Sequence, residues 1–149
     1  MRDALIPLIL TALVLTCLPQ VAGSAVAQPA QAFTDAGTDA ARVTAFLKCL
    51  QSSVSLGNRL KVASLVQFPL KAWIDGEETV IESESEFQAR YGRIFDEALK
   101  KAIAEARVET LTVNQQGVTF DNGRLWFRPV AARKNALKIV AINDLSQPR

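Results

Sequence analysis

The longest periodic stretch of the chain runs from Ser83 to Ala106. Within it Phe87, Tyr91, Ile94, Phe95, Ala98 and Ala102 recur at three- and four-residue steps. That spacing predicts one amphipathic helix with a single apolar stripe. Ser83 followed by Glu86 predicts a capping box at its start. Asp96–Lys100 and Glu97–Lys101 set an acid four residues before a base, the favourable order on a solvated helix face. Gly92 predicts a kink or short break. Upstream, Val43, Phe46, Leu47, Leu50 and Val54 form a second stripe. Asp39 or Thr38 is placed to cap that helix, and Gly57 to stop it. Asn58 then opens a short helix over about 59–66, which Pro69 ends.

Alternation with period two marks the strands. Leu70–Ile74 and Glu77–Ile81 flank Asp75-Gly76, a type I′ hairpin signal. Beyond the long helix, Val108–Val113 is followed by a Gln115-Gln116-Gly117 turn and by a second hairpin around Asn122-Gly123. Its register pairs Asp121 with Arg124, Phe120 with Leu125, Thr119 with Trp126 and Val118 with Phe127. Paired residues share a face. Val118, Phe120, Leu125 and Phe127 therefore form an apolar face, and Trp126 looks the other way with Thr119, Arg124 and Arg128. Residues 130–135 read as a polar loop. Leu137–Ile142 is almost wholly apolar, which predicts a central strand or one covered on both faces. The expectation is an α+β domain over 39–143, with a curved antiparallel sheet wrapped around the long helix. Residues 28–38, rich in small residues, read as a flexible lead and 144–149 as a tail.

Composition narrows this picture. The chain has 149 residues, 49% hydrophobic and 21% charged, with a formal net charge of +2. Those values describe one globular domain and argue against a nucleic-acid partner. Histidine is absent, which removes the commonest general base and metal ligand. Residues 1–27 resemble a signal peptide: Arg2, an apolar run from Ala4 to Leu18 too short to span a bilayer, and a closing Ala25-Val26-Ala27. The expectation is an exported chain, periplasmic or extracellular, with no membrane span after processing. Cleavage there removes Cys17 and leaves Cys49 alone, so no intramolecular disulfide forms. Cys49 reads either as a small buried apolar residue or as a reactive thiol pairing between chains.

The order of helix, helix, hairpin, long helix and further strands resembles the nuclear transport factor 2-like superfamily, the cone-shaped cystatin-like α+β fold. The similarity covers roughly 39–143. Leu56-Gly57-Asn58-Arg59-Leu60-Lys61-Val62-Ala63-Ser64-Leu65-Val66 is similar to the family's helix–turn–helix opening, with Asn58 where an Asp is common. Phe87-x-x-x-Tyr91-x-x-Ile94-Phe95 is similar to the central helix of its secreted members. The resemblance implies a pocket at the open end of the sheet, and dimerisation through sheet faces in many relatives.

Enzymatic members of that superfamily place Asp, Tyr and often His in the pocket, and no residue-by-residue match exists here. Tyr91 is the one polar-tipped aromatic on the inward stripe. It reads as a core tyrosine or as a pocket hydrogen-bond donor. Asp96 reads as a solvated acid paired with Lys100, and Glu82, Glu84 and Glu86 as complements to a helix N-terminus. No phosphate-binding loop, cysteine cluster or calcium loop is present, so no cofactor or metal is expected. Trp73 and Trp126 are the larger signal: each is covered by neighbouring side-chain stems or faces a partner. Trp126, Trp73, Arg124 and Arg128 are the interface candidates. The functional expectation is a non-catalytic binding module docking a protein partner through its sheet face. That partner is a second copy, a toxin or an envelope protein. The alternative is an isomerase, dehydratase or lyase, or a carrier of a small apolar ligand, using the pocket.

Overall fold

The computed structural model describes residues 29–144. The signal-peptide assignment over 1–27, Cys17 and residues 145–149 of the tail lie outside the described residues. Helices α1 (Pro29–Asp35), α2 (Ala40–Ser55) and α3 (Arg59–Ser64) lead into strands β1 (Val66–Ile74) and β2 (Glu77–Ile81). Helices α4 (Glu84–Ile94) and α5 (Glu97–Glu105) follow, and then β3 (Thr112–Asn114), β4 (Gly117–Phe120), β5 (Leu125–Val130) and β6 (Ala136–Ile142). Strand order is β2-β1-β6-β5-β4-β3 in one sheet. All neighbouring pairs are antiparallel except β1 and β6, which run parallel, so the sheet is mixed rather than wholly antiparallel. The apolar β6 lies in the interior of the sheet, as its composition predicts.

Local chemistry explains the helix ends. The Asp39 carboxylate accepts from Arg42 N at 2.9 Å and caps α2. Gly57, at φ +63°, supplies the left-handed residue that ends α2, and Asn58 N donates to Ser53 O at 2.9 Å across it. Asn58 Oδ1 then accepts from Lys61 N and starts α3. Ser83 caps α4 by accepting from Glu86 N, while Glu86 Oε2 accepts from Glu82 N.

Four elements depart from the sequence expectation. Residues 29–35 are helix, not a flexible lead, because Phe33 gives the segment an anchor, 1% exposed in the common core. The long helix is two helices. The break falls at Phe95 (φ −99°, ψ 72°) rather than at Gly92, and Asp96 caps the new helix by accepting from Leu99 N at 2.7 Å. The second short helix stops at Ser64 and β1 begins at Val66, four residues before the expected start. Pro69 is tolerated there because the β1–β6 register shifts between Val66 and Lys71, and β2 pairs only from Leu70 onward. Finally, Val108–Thr110 is a 3-10 turn, and only Thr112–Asn114 forms a strand.

Both hairpins keep the predicted register within their strands, but the predicted Asp121–Arg124 pair is absent. Ile74 pairs with Glu77 around Asp75 and Gly76, both at positive φ. Phe120, Thr119 and Val118 pair with Leu125, Trp126 and Phe127. The second loop is wider than two residues, however: Asp121–Gly123 forms a 3-10 turn and Arg124 N donates to Phe120 O at 3.2 Å. Arg124 and Asp121 therefore belong to the loop and not to the ladder.

All the helices pack on one side of the sheet. Leu70, Ala72, Ile74, Ile81, Val118, Phe120, Leu125, Phe127, Ile139 and Ile142 face them and are buried. Phe46 of α2 stacks on Phe127 at 4.7 Å between centroids. Phe87 of α4 meets Phe68, Tyr91 and Phe95 edge-on. Burying one such side chain contributes about 1.5–3 kcal/mol, so the aromatic layer dominates the core. The opposite sheet face carries one row across every strand: Val80, Lys71, Ala141, Trp126, Thr119 and Thr112. No helix among the described residues is long and apolar enough to cross a membrane.

Candidate functional site

Tyr91 stands at the junction of four helices. The end of α2 (Gln51, Val54, Ser55), Gly57, Arg59 of α3, Gly92 of α4 and Lys100 of α5 surround it and bound a cleft of about 470 Å³. The tight Gly57-Asn58 turn places the start of α3 beside the end of α2, and the break at Phe95–Asp96 redirects α5 so that Lys100 shares a wall with Tyr91. The Tyr91 ring stacks on Phe95 at 4.9 Å with a 4° interplanar angle, and the Arg59 guanidinium lies 5.4 Å from its centroid.

Burial raises the Tyr91 phenol above its ordinary value of 10.0, and the positive charges of Lys100 and Arg59 oppose that rise. Lys100 is raised as well, chiefly by its hydrogen bond to Glu97, whose carboxylate lies 2.7 Å away. The Tyr91 hydroxyl is buried and has no hydrogen-bond partner among the described residues, a state shared only with Thr38 Oγ1. Gln51 is committed elsewhere: its Nε2 donates to Ile103 O and Ala106 O at 2.9 Å and ties the end of α5 to α2. The cleft lining carries two cations and a phenol and no carboxylate. Such a set suits the holding of an anion.

The interface candidates occupy two places. Trp126 is half-buried in the middle of the outer sheet row, with its indole against Gly123. Arg128 is exposed on the same face, opposite Lys138 of β6. Arg124 has turned away from that face. Its guanidinium donates to both carboxylate oxygens of Asp96, at 2.9 and 2.8 Å, and lies 3.8 Å from Asp121. Asp96 is thereby an N-cap and an Arg124 partner rather than a partner of Lys100. Trp73, half-buried, lines a second cavity of about 340 Å³ at the end of the sheet with Asp75, Arg93, Asp96, Arg124 and Asn143. Its charges pair internally, Asp75 with Arg93 and Asp96 with Arg124, so it carries little unpaired charge.

Cys49 is half-buried and free. Among the described residues no group of three His, Cys, Asp or Glu could hold a metal ion. Sequence reasoning singled out Tyr91 but not Arg59 or Lys100. Arg59 directly follows the Asn58 cap, which fixed its position on α3. Nothing in sequence spacing, however, ties Arg59 to α5, and the four-residue step from Asp96 gives Lys100 a different partner. No family model, no curated protein and no solved structure matches this chain.

Proposed function

We propose that the protein is an exported, non-catalytic interaction module of the nuclear transport factor 2-like, cystatin-like type, which docks a second copy of itself or another protein through the open face of its sheet. The observation that carries this reading is the outer row, where half-buried Trp126 stands between Ala141 and buried Thr119 on the face opposite the helix-facing core residues. Open sheet faces usually present polar side chains. This one presents Trp126, Ala141 and the exposed Val80, with a second half-buried tryptophan, Trp73, one strand beyond β6. Tryptophan and arginine are the residues most enriched among interface hot spots, and exposed Arg128 lies two residues from Trp126. Export rests on the character of residues 1–27, and the cone-shaped arrangement rests on element order.

The enzyme alternative needs two titratable groups converging in one cavity, at least one of them poised near the working pH. Tyr91 and Lys100 do converge, but both are raised further from neutrality. The interaction reading is therefore preferred. Its test is sedimentation at several concentrations on the parent and on Trp126→Ala, with capture from envelope extract in parallel. A concentration-dependent dimer, or one captured partner, that Trp126→Ala weakens at least about tenfold supports the reading. A parent that stays monomeric and captures nothing sinks it.

A further inference from the structure

We infer that the cleft between α2, α3, α4 and α5 binds a small organic anion, its oxyanion head held by Arg59, Lys100 and the Tyr91 hydroxyl. The site is built wholly from helix and turn residues, so it is separate from the sheet face and does not depend on the docking reading. Three observations converge on it.

The first is the Tyr91 hydroxyl. The residue is 4% exposed, and its O–H has no partner among the described residues. Buried hydroxyls are nearly always hydrogen-bonded, because leaving one unmade is costly. Tyr91 lines the same cleft as Lys100 and Arg59, and its phenol lies in their combined field. An anionic oxygen placed there accepts from the phenol and meets both cations at once.

The second is charge balance. No carboxylate lines the cleft, and Arg59 makes no ion pair among the described residues. Lys100 does have a partner, Glu97, but the Glu97 side chain is 90% exposed. An exposed ion pair of that kind contributes little, so a ligand's oxyanion can replace it at small cost.

The third is shape. Val54, Ile103 and Ala104 give the cleft apolar walls, and glycines at 57 and 92 keep it open. A Cβ at Gly57 or Gly92 would meet no atom within 4 Å, so the space over both glycines is open. The volume of about 470 Å³ falls within the ordinary range of small-molecule pockets. Leu56 and Leu60 flank Gly57 and Arg59 in the chain and are 77% and 63% exposed, adding apolar surface at that corner. A charged head with a short apolar body matches this arrangement better than a bare inorganic ion.

Calorimetric titration of protein expressed from the full-length sequence tests the assignment with three probes: octanoate, octanol and inorganic phosphate. Octanoate should bind saturably, one per chain. Octanol, with the same body and no charge, should not bind, and phosphate should bind at least about tenfold more weakly than octanoate. Arg59→Gln and Lys100→Gln should each weaken octanoate by about tenfold, the scale of a lost charge-assisted hydrogen bond. Tyr91→Phe should weaken it roughly fivefold. Tyr91 is the only tyrosine in the chain, so the phenolate absorbance titrates this one site. Bound octanoate should move that titration to higher pH, because a neighbouring anion disfavours the phenolate. Absence of saturable octanoate binding overturns the proposal. So does octanol or phosphate binding as tightly as octanoate. So does an Arg59→Gln protein that unfolds at the parent temperature and binds octanoate unchanged.

Discussion

Arg124, in the loop between β4 and β5, donates to both carboxylate oxygens of Asp96, at 2.9 and 2.8 Å, while the same carboxylate caps α5 by accepting from Leu99 N. One acid thus starts a helix and ties it to the sheet hairpin. The Arg124 side chain is 13% exposed and that of Asp96 53%, so the pair is shielded on the arginine side only. Asn makes an equally good N-cap but carries no charge. Asp96→Ala should therefore cost about 1–2 kcal/mol through the lost cap alone, with a further contribution from the stranded arginine. Asp96→Asn should retain the cap contribution and lose only the charge. Urea denaturation of the two variants separates them, and equal losses would show that the cap contributes nothing.

Phe33 is the residue that turns the expected lead into an element. It is 1% exposed within the common core, and α1 packs against α2 and β3. Phe33→Ala should cost about 3–5 kcal/mol, as for other large-to-small core changes. Phe120→Ala, on the helix-facing side of β4, should cost a similar amount by the same rule. A Phe33→Ala protein with the parent's thermal midpoint would mean that the segment is not docked.

The contrast between Phe33 and Phe120 shows what the sequence made legible. Period two fixed the β4–β5 register, because Val118, Phe120, Leu125 and Phe127 must share the buried face, and a one-residue slip would expose them all. Phe33 stands alone among small residues, so no period announced its helix. Asp96 was legible in principle as an N-cap, but the acid–base spacing around it also fits an unbroken helix, and the local pattern does not distinguish the two. The parallel β1–β6 pairing joins Lys71 to Ala141, seventy positions apart. No local signal carries such a contact. The same limit hid the cleft: Tyr91 showed on its helix stripe, whereas Arg59 and Lys100 reach it from α3 and α5 through the tertiary fold alone.

Tyr91 also makes a pH prediction. Its phenol is raised by burial, which means that the folded protein holds the proton more tightly than the unfolded chain does. The stability this contributes is fully present below pH 10.0, where the unfolded phenol ionises, and is lost as pH rises through the higher folded value. Tyr91→Phe cannot ionise. Its stability should therefore fall less steeply than the parent's above pH 10, in parallel thermal scans. Identical alkaline slopes would mean that the hydroxyl is solvated.

Glycines 92 and 117 should respond to the same substitution with opposite signs. Gly92 sits in α4 with ordinary helical backbone, and a Cβ there meets nothing within 4 Å. Gly92→Ala should stabilise by about 0.5–1 kcal/mol, because alanine loses less backbone entropy on entering a helix. Gly117 opens β4 at φ +136°, and a Cβ there would lie 2.6 Å from Phe127 O and 3.0 Å from Arg128 Cβ. The first of those neighbours is backbone of β5, a strand held between β4 and β6, and cannot swing aside. Gly117→Ala must therefore shift β5 away from β4 or twist the start of β4, at a cost of about 1–3 kcal/mol for overpacking plus the strain of the backbone angle. Because β5 carries Trp126, the shift should also appear as a change in tryptophan fluorescence in Gly117→Ala and not in Gly92→Ala. Equal midpoints for the two variants in thermal unfolding would refute the close approach of β4 to β5 at this position.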